Sequence, residues 1–259
     1  MRIERIDAPG VLAASWRDTM SGWVNQLGEP VPMSLTAGQS LFLLMHDDRV
    51  QACARLVPAL PPLSALSPLS PLSAEAGAPA DTAAASKALR FHFRVGRLVH
   101  LSEELDLFNP QQILLLGNDL CDAAEITDLA VAPQAQEGAL KLAHLLTRIV
   151  QGHEGPERLS VDLQGHRDAR GLSPFWQGLG ARFLPEQGDR PGVGPQWRRD
   201  FADLLPALPL YASLMDDASR ACIGQTGPAA RVAQEALQAA GFQPGAHVKI
   251  DDAGPTWQR

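Results

Sequence analysis

Cysteine is scarce. Cys53, Cys121 and Cys222 are the only three, odd in number and without CxxC spacing, which argues against a disulfide framework or a zinc site built on paired thiols. Positive charge is also in short supply: 22 Lys and Arg against 29 Asp and Glu give a net charge of −7. The basic face that nucleic-acid phosphates demand is therefore not expected. The same balance is compatible with a small cationic substrate, although it speaks first to solubility. No uninterrupted apolar run approaches the ~18 residues of a membrane-spanning helix. Charges within the first six residues, with no long apolar core behind them, argue against a signal peptide. The expectation is a cytoplasmic chain with free, buried thiols and no membrane association. The 7 histidines form no HxxxH or triad-like grouping. His92 and His100 flank one strand, His144 lies near an apolar helix stripe, and structural or surface roles are expected for all three.

With 259 residues, 45% of them apolar, the chain is long enough for one large domain or two lobes sharing a core. An apolar start at Met1–Ile6 precedes a helix expected from Pro9 to Leu27, ended by Gly28, Pro30 and Pro32. Leu41–His46 and Arg49–Val57 read as a hairpin turning at Asp47-Asp48. Pro58–Lys87 repeats Ser-Pro-Leu units before an Ala-rich tail, a composition that cannot pattern a core and reads as a flexible insertion. Order returns with a long alternating strand at Leu89–Leu101 and short strands at Gln112–Leu116 and Glu125–Val131. Gly138–Val150 carries one apolar helical stripe, and Leu159–Leu163 reads as another strand. Helices follow at Ser173–Leu179, Met215–Ile223 and Ala229–Ala240, then a strand at His247–Ile250. The plan is a mixed α/β sheet, divided as residues 1–57, the insertion 58–87 and a main core 88–256.

Glu125–Val150 carries the most chemistry. A strand ends at Ala132-Pro133, a short loop leads to Gly138, and an amphipathic helix starts at once. Loop amides and a helix N-terminus together present unpaired N–H groups suited to a pyrophosphate. The strand before them offers backbone groups to an extended ligand arm. By two-residue alternation Glu125 and Leu129 share one side of that strand, so Glu125 would face the site as a base or stand as a solvated carboxylate. Asp119, Asp122, Glu125 and Asp128 form an acidic series that would attract a guanidinium group or simply be solvated. SPFWQGLGARF (173–183) and AQEALQAAGFQPGAHVKI (233–250) share a layout of helix, glycine, Phe and extended chain, with the glycine suited to a left-handed C-cap.

The strand–loop–helix at 125–150 resembles the acyl-CoA site of the GNAT-type acyltransferases. It departs from their loop pattern at Ala135 and Leu140. More specific words occur in order: FRVGRLVHLSEELDLFN (93–109), LLGNDL (115–120), GLSPFWQGLGARF (171–183), LPLYASL (208–214), CIGQTGPAA (222–230) and IDDAGPT (250–256). Together they resemble the bacterial arginine N-succinyltransferases across roughly Leu89–Thr256. Members of that family usually continue for several dozen residues past the GP motif, whereas this sequence stops at Arg259.

The resemblance implies a GNAT-like, mostly antiparallel sheet flanked by helices, as one body or two lobes. It implies transfer of a succinyl group from succinyl-CoA to the α-amino group of arginine or a related cationic amine. Succinyl-CoA or another acyl-CoA is then a co-substrate, and no separate cofactor is expected. Leu129, Ala130, Val131, Gly138 and Ala139 would hold the acyl-CoA, and a homo- or hetero-oligomer is the implied assembly. The family's proton-donating His falls at Gly227, which has no side chain to donate, and Gln164 stands where the family has a cation. Glu125 as base and Tyr211, the sole tyrosine, as proton donor to the thiolate are the candidate catalytic residues. A fixed interior tyrosine is the alternative for Tyr211. The chain would otherwise be a degenerate subunit that supports a complete partner. A splayed pair of central strands would support the fold, and side chains filling that gap would speak against catalysis.

Overall fold

A computed structural model describes residues 1–59, 89–104, 106–153 and 157–259. The N-terminal part holds strands β1 (Arg2–Ile6) and β2 (Gly10–Val11), helix α1 (Ala14–Met20), and strands β3 (Ser34–Leu35), β4 (Ser40–His46) and β5 (Arg49–Val57). The helix expected over Pro9–Leu27 is thus confined to α1. Before it, Gly10–Val11 pairs with Ser34–Leu35 in a small separate sheet. After it, Gly22 at φ 80° turns the chain away, a conformation that a β-carbon disfavours. Residues 23–31 fold back as a tight loop, closed where Val31 N–H donates to the Trp23 carbonyl. The β4–β5 hairpin is as expected, with Asp47 and Asp48 at φ 49° and 57°, the left-handed pair of a type I′ turn. The Pro-rich stretch lies, apart from Pro58 and Ala59, outside the described residues.

Beyond it come β6 (His92–Ser102), β7 (Leu107–Gly117), β8 (Ala124–Val131), α2 (Gly138–Gly152) and β9 (Leu159–Asp162). A π-helical turn at Trp176–Gly180 runs into a short helix at Ala181–Phe183. The remaining elements are α3 (Pro195–Leu204), β10 (Leu210–Tyr211), α4 (Asp217–Ala221), α5 (Arg231–Ala239), β11 (Gln243–Lys249) and β12 (Pro255–Gln258). Sequence periodicity misses α3 and β12 and makes β7 too short. No helix among the described residues is long and apolar enough to cross a membrane.

One sheet of 10 strands runs in the order β1-β4-β5-β8-β9-β12-β11-β6-β7-β10. Neighbours are antiparallel except the pair β8–β9. The mixed, mostly antiparallel sheet is as expected, and strands from both sides of the insertion share it.

Three apolar cores hold the layers together. In the first, α2 and α5 cover one face of β4, β5, β8 and β9; Leu142, Leu145, Leu146 and Ile149 pack on Ile126, Leu129 and Val161. Each such side chain contributes about 1.5–3 kcal/mol on burial. The second packs the π turn and α3 against β6, β7 and β11 through Trp176, Phe201, Phe93 and Val248. The third lies between α1 and β4–β5, around Met20, Trp23, Leu41 and Leu43.

The two helix–glycine–Phe words separate here. After α5, Gly241 takes φ 82°, its N–H donates to Gln238 and the N–H of buried Phe242 donates to Leu237. That is a Schellman cap. Gly180 is different: its φ is −59°, inside the helical stretch, and no strand follows Phe183. Its glycine is explained by packing, since a β-carbon there would lie 2.1 Å from the Trp176 ring.

Candidate functional site

β8 and β9 pair only at their starts, Ala124 opposite Leu159 and Glu125 opposite Ser160. Beyond that point the loop after α1 stands between them. Leu129 N–H donates to Gln26 Oε1 at 2.8 Å, and Gln164 N–H, just past β9, donates to the Gln26 carbonyl at 3.0 Å. Gln164 Nε2 returns a bond to the Leu27 carbonyl at 2.9 Å. The central strands are splayed, and Gln26, 2% exposed, fills the opening.

A bulge sits beside this opening. Asp128 takes φ 54°, and the β5–β8 register slips there. An extra residue reverses side-chain parity along a strand. Ala124, Ile126 and Leu129 therefore point into the core beneath α2, whereas Glu125, Thr127 and Asp128 face the opposite side. Glu125 and Leu129 are on opposite faces, contrary to simple alternation.

On the Glu125 side lies a cavity of about 440 Å³, walled by β5, β8, the start of β6, the end of β9, α3, the end of β11 and the loop at 25–32. Its walls are charged. Arg55 Nε meets Asp128 at 2.8 Å, Arg90 Nε meets Glu125 at 3.3 Å, and Arg198 meets Glu29 at 3.0 Å and Asp251 at 3.2 Å. Lys249 lies 3.4 Å from Asp251 and 3.2 Å from Asp252. His92 Nε2 reaches both oxygens of Asp162, at 2.9 and 3.1 Å, and Thr256 Oγ1 donates to Asp162 at 2.7 Å. Buried charges persist only when paired in this way, and removing one partner costs about 3–5 kcal/mol.

The carboxyls of this cavity are pushed apart in acidity. Burial raises Glu125 above the usual carboxylate range, opposed by Arg90 and reinforced by the neighbouring charge of Asp162. Burial likewise raises Asp128 despite Arg55 and Asn25. Burial works the same way on Asp162, but the His92 ring, Arg90 and the Thr256 hydroxyl outweigh it and hold that carboxyl well below its usual range. Burial would lower Lys249, yet Asp251 and Asp252 raise it and keep its ammonium charged. Acids held apart in one cavity are suited to separate proton-transfer roles.

The other sequence-derived candidates fall in several places. Ala130 and Val131 continue β8 past the bulge, Ala130 packing into the core under α1. Gly138 starts α2, where an added β-carbon would press on Val131 and Val232; Ala139 follows it in the first turn. The Glu137 side chain makes no capping bond to that helix. Tyr211 stands on the edge strand β10, separated from β8 by five intervening strands, and stacks on His100 at 5.9 Å. The structure does not bring it to Glu125. The acidic series divides: Asp119 bonds His247 and Asp122 bonds Arg158, while Glu125 and Asp128 line the cavity. Gly227 sits where backbones meet: its N–H donates to Gln164 at 2.8 Å, and a β-carbon would lie 2.3 Å from the Gly165 carbonyl. The Asp-Asp-Ala-Gly-Pro word forms the β11–β12 turn, where fully buried Asp252 accepts from Gly165 and Gly254 N–H. Arg55, Arg90, His92, Asp162, Arg198 and Lys249 were not singled out as site residues by sequence. Arg90 and His92 are two residues apart where β6 begins, but the others come from separate elements that no local spacing links.

Residues 81–259 match the family described as arginine N-succinyltransferase beta subunit. Curated relatives named arginine N-succinyltransferase from Salmonella arizonae and Salmonella paratyphi B are each 31% identical over 172 residues, covering 64% of this chain and 50% of theirs. The chain thus spans about half the length of the curated relatives it matches. A solved structure, subunit AI of the arginine/ornithine succinyltransferase from Pseudomonas aeruginosa, superposes with a TM-score of 0.56 at 22% identity, over 87% of this chain and 61% of that one. At that identity the likeness concerns the fold. The match over most of the chain settles the lineage: the protein belongs to the arginine N-succinyltransferase beta-subunit family.

Proposed function

We propose that this chain transfers a succinyl group from succinyl-CoA to the α-amino group of arginine or a related cationic amine. The observation that carries the reading is the charged cavity behind the splayed β8–β9 pair, with Glu125 beside the opening. A GNAT-type donor slot needs two strands that part and a free backbone donor between them. The Leu129 N–H just beyond the bulge is that donor once Gln26 moves aside. An acyl-CoA arm would take its place, pairing with β8 as an added strand does.

Glu125 is the proposed acceptor for the proton that a protonated amine must lose before attack. A carboxyl raised by burial is better matched to an amine than an ordinary one. The cavity's walls hold the two reactants together, which supplies up to about 7–11 kcal/mol of the barrier reduction.

A second reading has its own observations. Gln26 fills the gap, and the Gly165 carbonyl leaves no room for a side chain at position 227. Both fit a non-catalytic subunit that pairs with a complete succinyltransferase. Calorimetric titration with succinyl-CoA and acetyl-CoA, followed by a thiol-release assay with arginine, separates the two. Micromolar binding with arginine-dependent thiol release supports the enzyme. Absence of binding would leave the subunit.

A further inference from the structure

Position 227 cannot supply a proton, yet the cavity contains a histidine held as a proton carrier would be. His92 begins β6 and is 3% exposed. Its Nε2 faces both oxygens of Asp162 at 2.9 and 3.1 Å. Asp162 is itself fixed by Thr256 Oγ1 at 2.7 Å, so the ring is oriented through two strands of the sheet. The other ring nitrogen, Nδ1, is buried and has no hydrogen-bond partner among the described residues. A buried polar atom left without a partner carries a cost that structures rarely tolerate without a use. His92 also lines the cavity that holds Glu125.

In its neutral form the ring has one tautomer that suits this arrangement. A carboxylate accepting at Nε2 keeps the proton on that nitrogen and leaves Nδ1 as a lone-pair acceptor, the logic by which an aspartate orients a catalytic imidazole. The charges around the ring belong to several elements: Asp162 on β9, Lys249 opposite on β11, the His247 ring at 6.4 Å, and Arg90 and Glu125 in the cavity wall.

We propose that His92, oriented by Asp162, is the proton shuttle of acyl transfer in this chain and replaces the donor missing at Gly227. The inference rests on the acyl-transfer reading. Glu125 first takes one proton from the ammonium. The neutral amine nitrogen then forms a bond to the thioester carbon, giving a tetrahedral adduct with a positively charged nitrogen. Nδ1 accepts the proton from that nitrogen. As the C–S bond breaks, Nδ1–H gives the same proton to the departing sulfur, leaving amide and thiol, and Glu125 returns its own proton to solvent.

The test is steady-state thiol release from succinyl-CoA with arginine, using His92→Gln, His92→Ala and Asp162→Asn. Gln keeps a donor toward Asp162 and guards against simple misfolding, while Ala opens space for added imidazole. Both His92 variants are expected to lose about 10²–10⁴-fold in kcat with little change in KM for succinyl-CoA. Imidazole restores His92→Ala but not His92→Gln. Asp162→Asn lowers kcat and leaves that KM unchanged, as a positioning residue should. An active wild type whose His92 variants stay within threefold, or whose Ala variant ignores imidazole, overturns the shuttle and leaves acyl transfer standing. A wild type that releases no thiol removes both.

Discussion

The two faces of β8 differ as sharply as any two regions of this molecule. One face sends Ile126 and Leu129 into an apolar core beneath α2 and α5. The other sends Glu125, Thr127 and Asp128 into a charged cavity. The first face binds the layers together, and its energy comes from area removed from water. The second carries buried charges whose cost is only offset by pairing, which is a poor way to add stability. The difference teaches that the fold is held on the helix side, which leaves the opposite side for the proposed chemistry. The bulge at Asp128 is the switch, because past it the strand exchanges its faces.

That contrast can be broken from the helix side first. Leu146 is fully buried in α2, and Leu146→Ala is expected to lower the unfolding free energy by about 2–5 kcal/mol. Urea denaturation checks this, and a loss below 1 kcal/mol would mean that the helix-covered face is not the main support.

The charged side is sharpened by pH. Burial alone would raise Asp251, but Lys249 and Arg198 reverse that and hold it at about 2, against an ordinary 3.8. A carboxylate held lower in the folded state contributes stability above its unfolded value and loses it as pH falls through the folded one. Asp251 should thus contribute about 2 kcal/mol that disappears between about pH 4 and pH 2, and Asp162 acts in the same direction. Glu125 and Asp128 have the opposite sign: their raised values favour the fold at low pH and cost stability as pH rises through them. Acid denaturation of wild type beside Asp251→Asn measures the first contribution. An unchanged acid limb in the variant would contradict the assignment.

A smaller effect is expected at Gly227, where its segment meets the chain just past β9. Gly227→His supplies the imidazole that the sequence resemblance leads one to expect there, but its β-carbon meets the Gly165 carbonyl. The expected result is a loss of about 1–3 kcal/mol from overpacking and no gain in turnover. Higher activity in that variant would show that the backbone there yields and that position 227 is still an acid/base site.

Much of the fold was legible because its signals are local. The β4–β5 hairpin follows from alternation and Asp-Asp, α2 from one apolar stripe, and the end of α5 from Gly241-Phe242. What failed depends on contacts distant in sequence. Glycine at 180 answers to the Trp176 ring rather than to a cap. β12 at Pro255–Gln258 is too short to show a period and exists because it pairs with β9 and β11. At the site, Glu125 was legible within its strand, but a single bulged residue reversed the side expected for Leu129. His92 read as a structural histidine because its partner Asp162 is 70 residues away. Gln26 was assigned to a helix, whereas Gly22 sends it into the gap between β8 and β9.

The most direct test of the division between the faces is Glu125→Gln, measured by thiol release with succinyl-CoA and arginine and by urea unfolding on the same preparation. The account predicts a fall in kcat of about 10²–10⁴-fold with unfolding free energy within about 1 kcal/mol of wild type. Unchanged turnover, or a stability loss as large as that of Leu146→Ala, would contradict it.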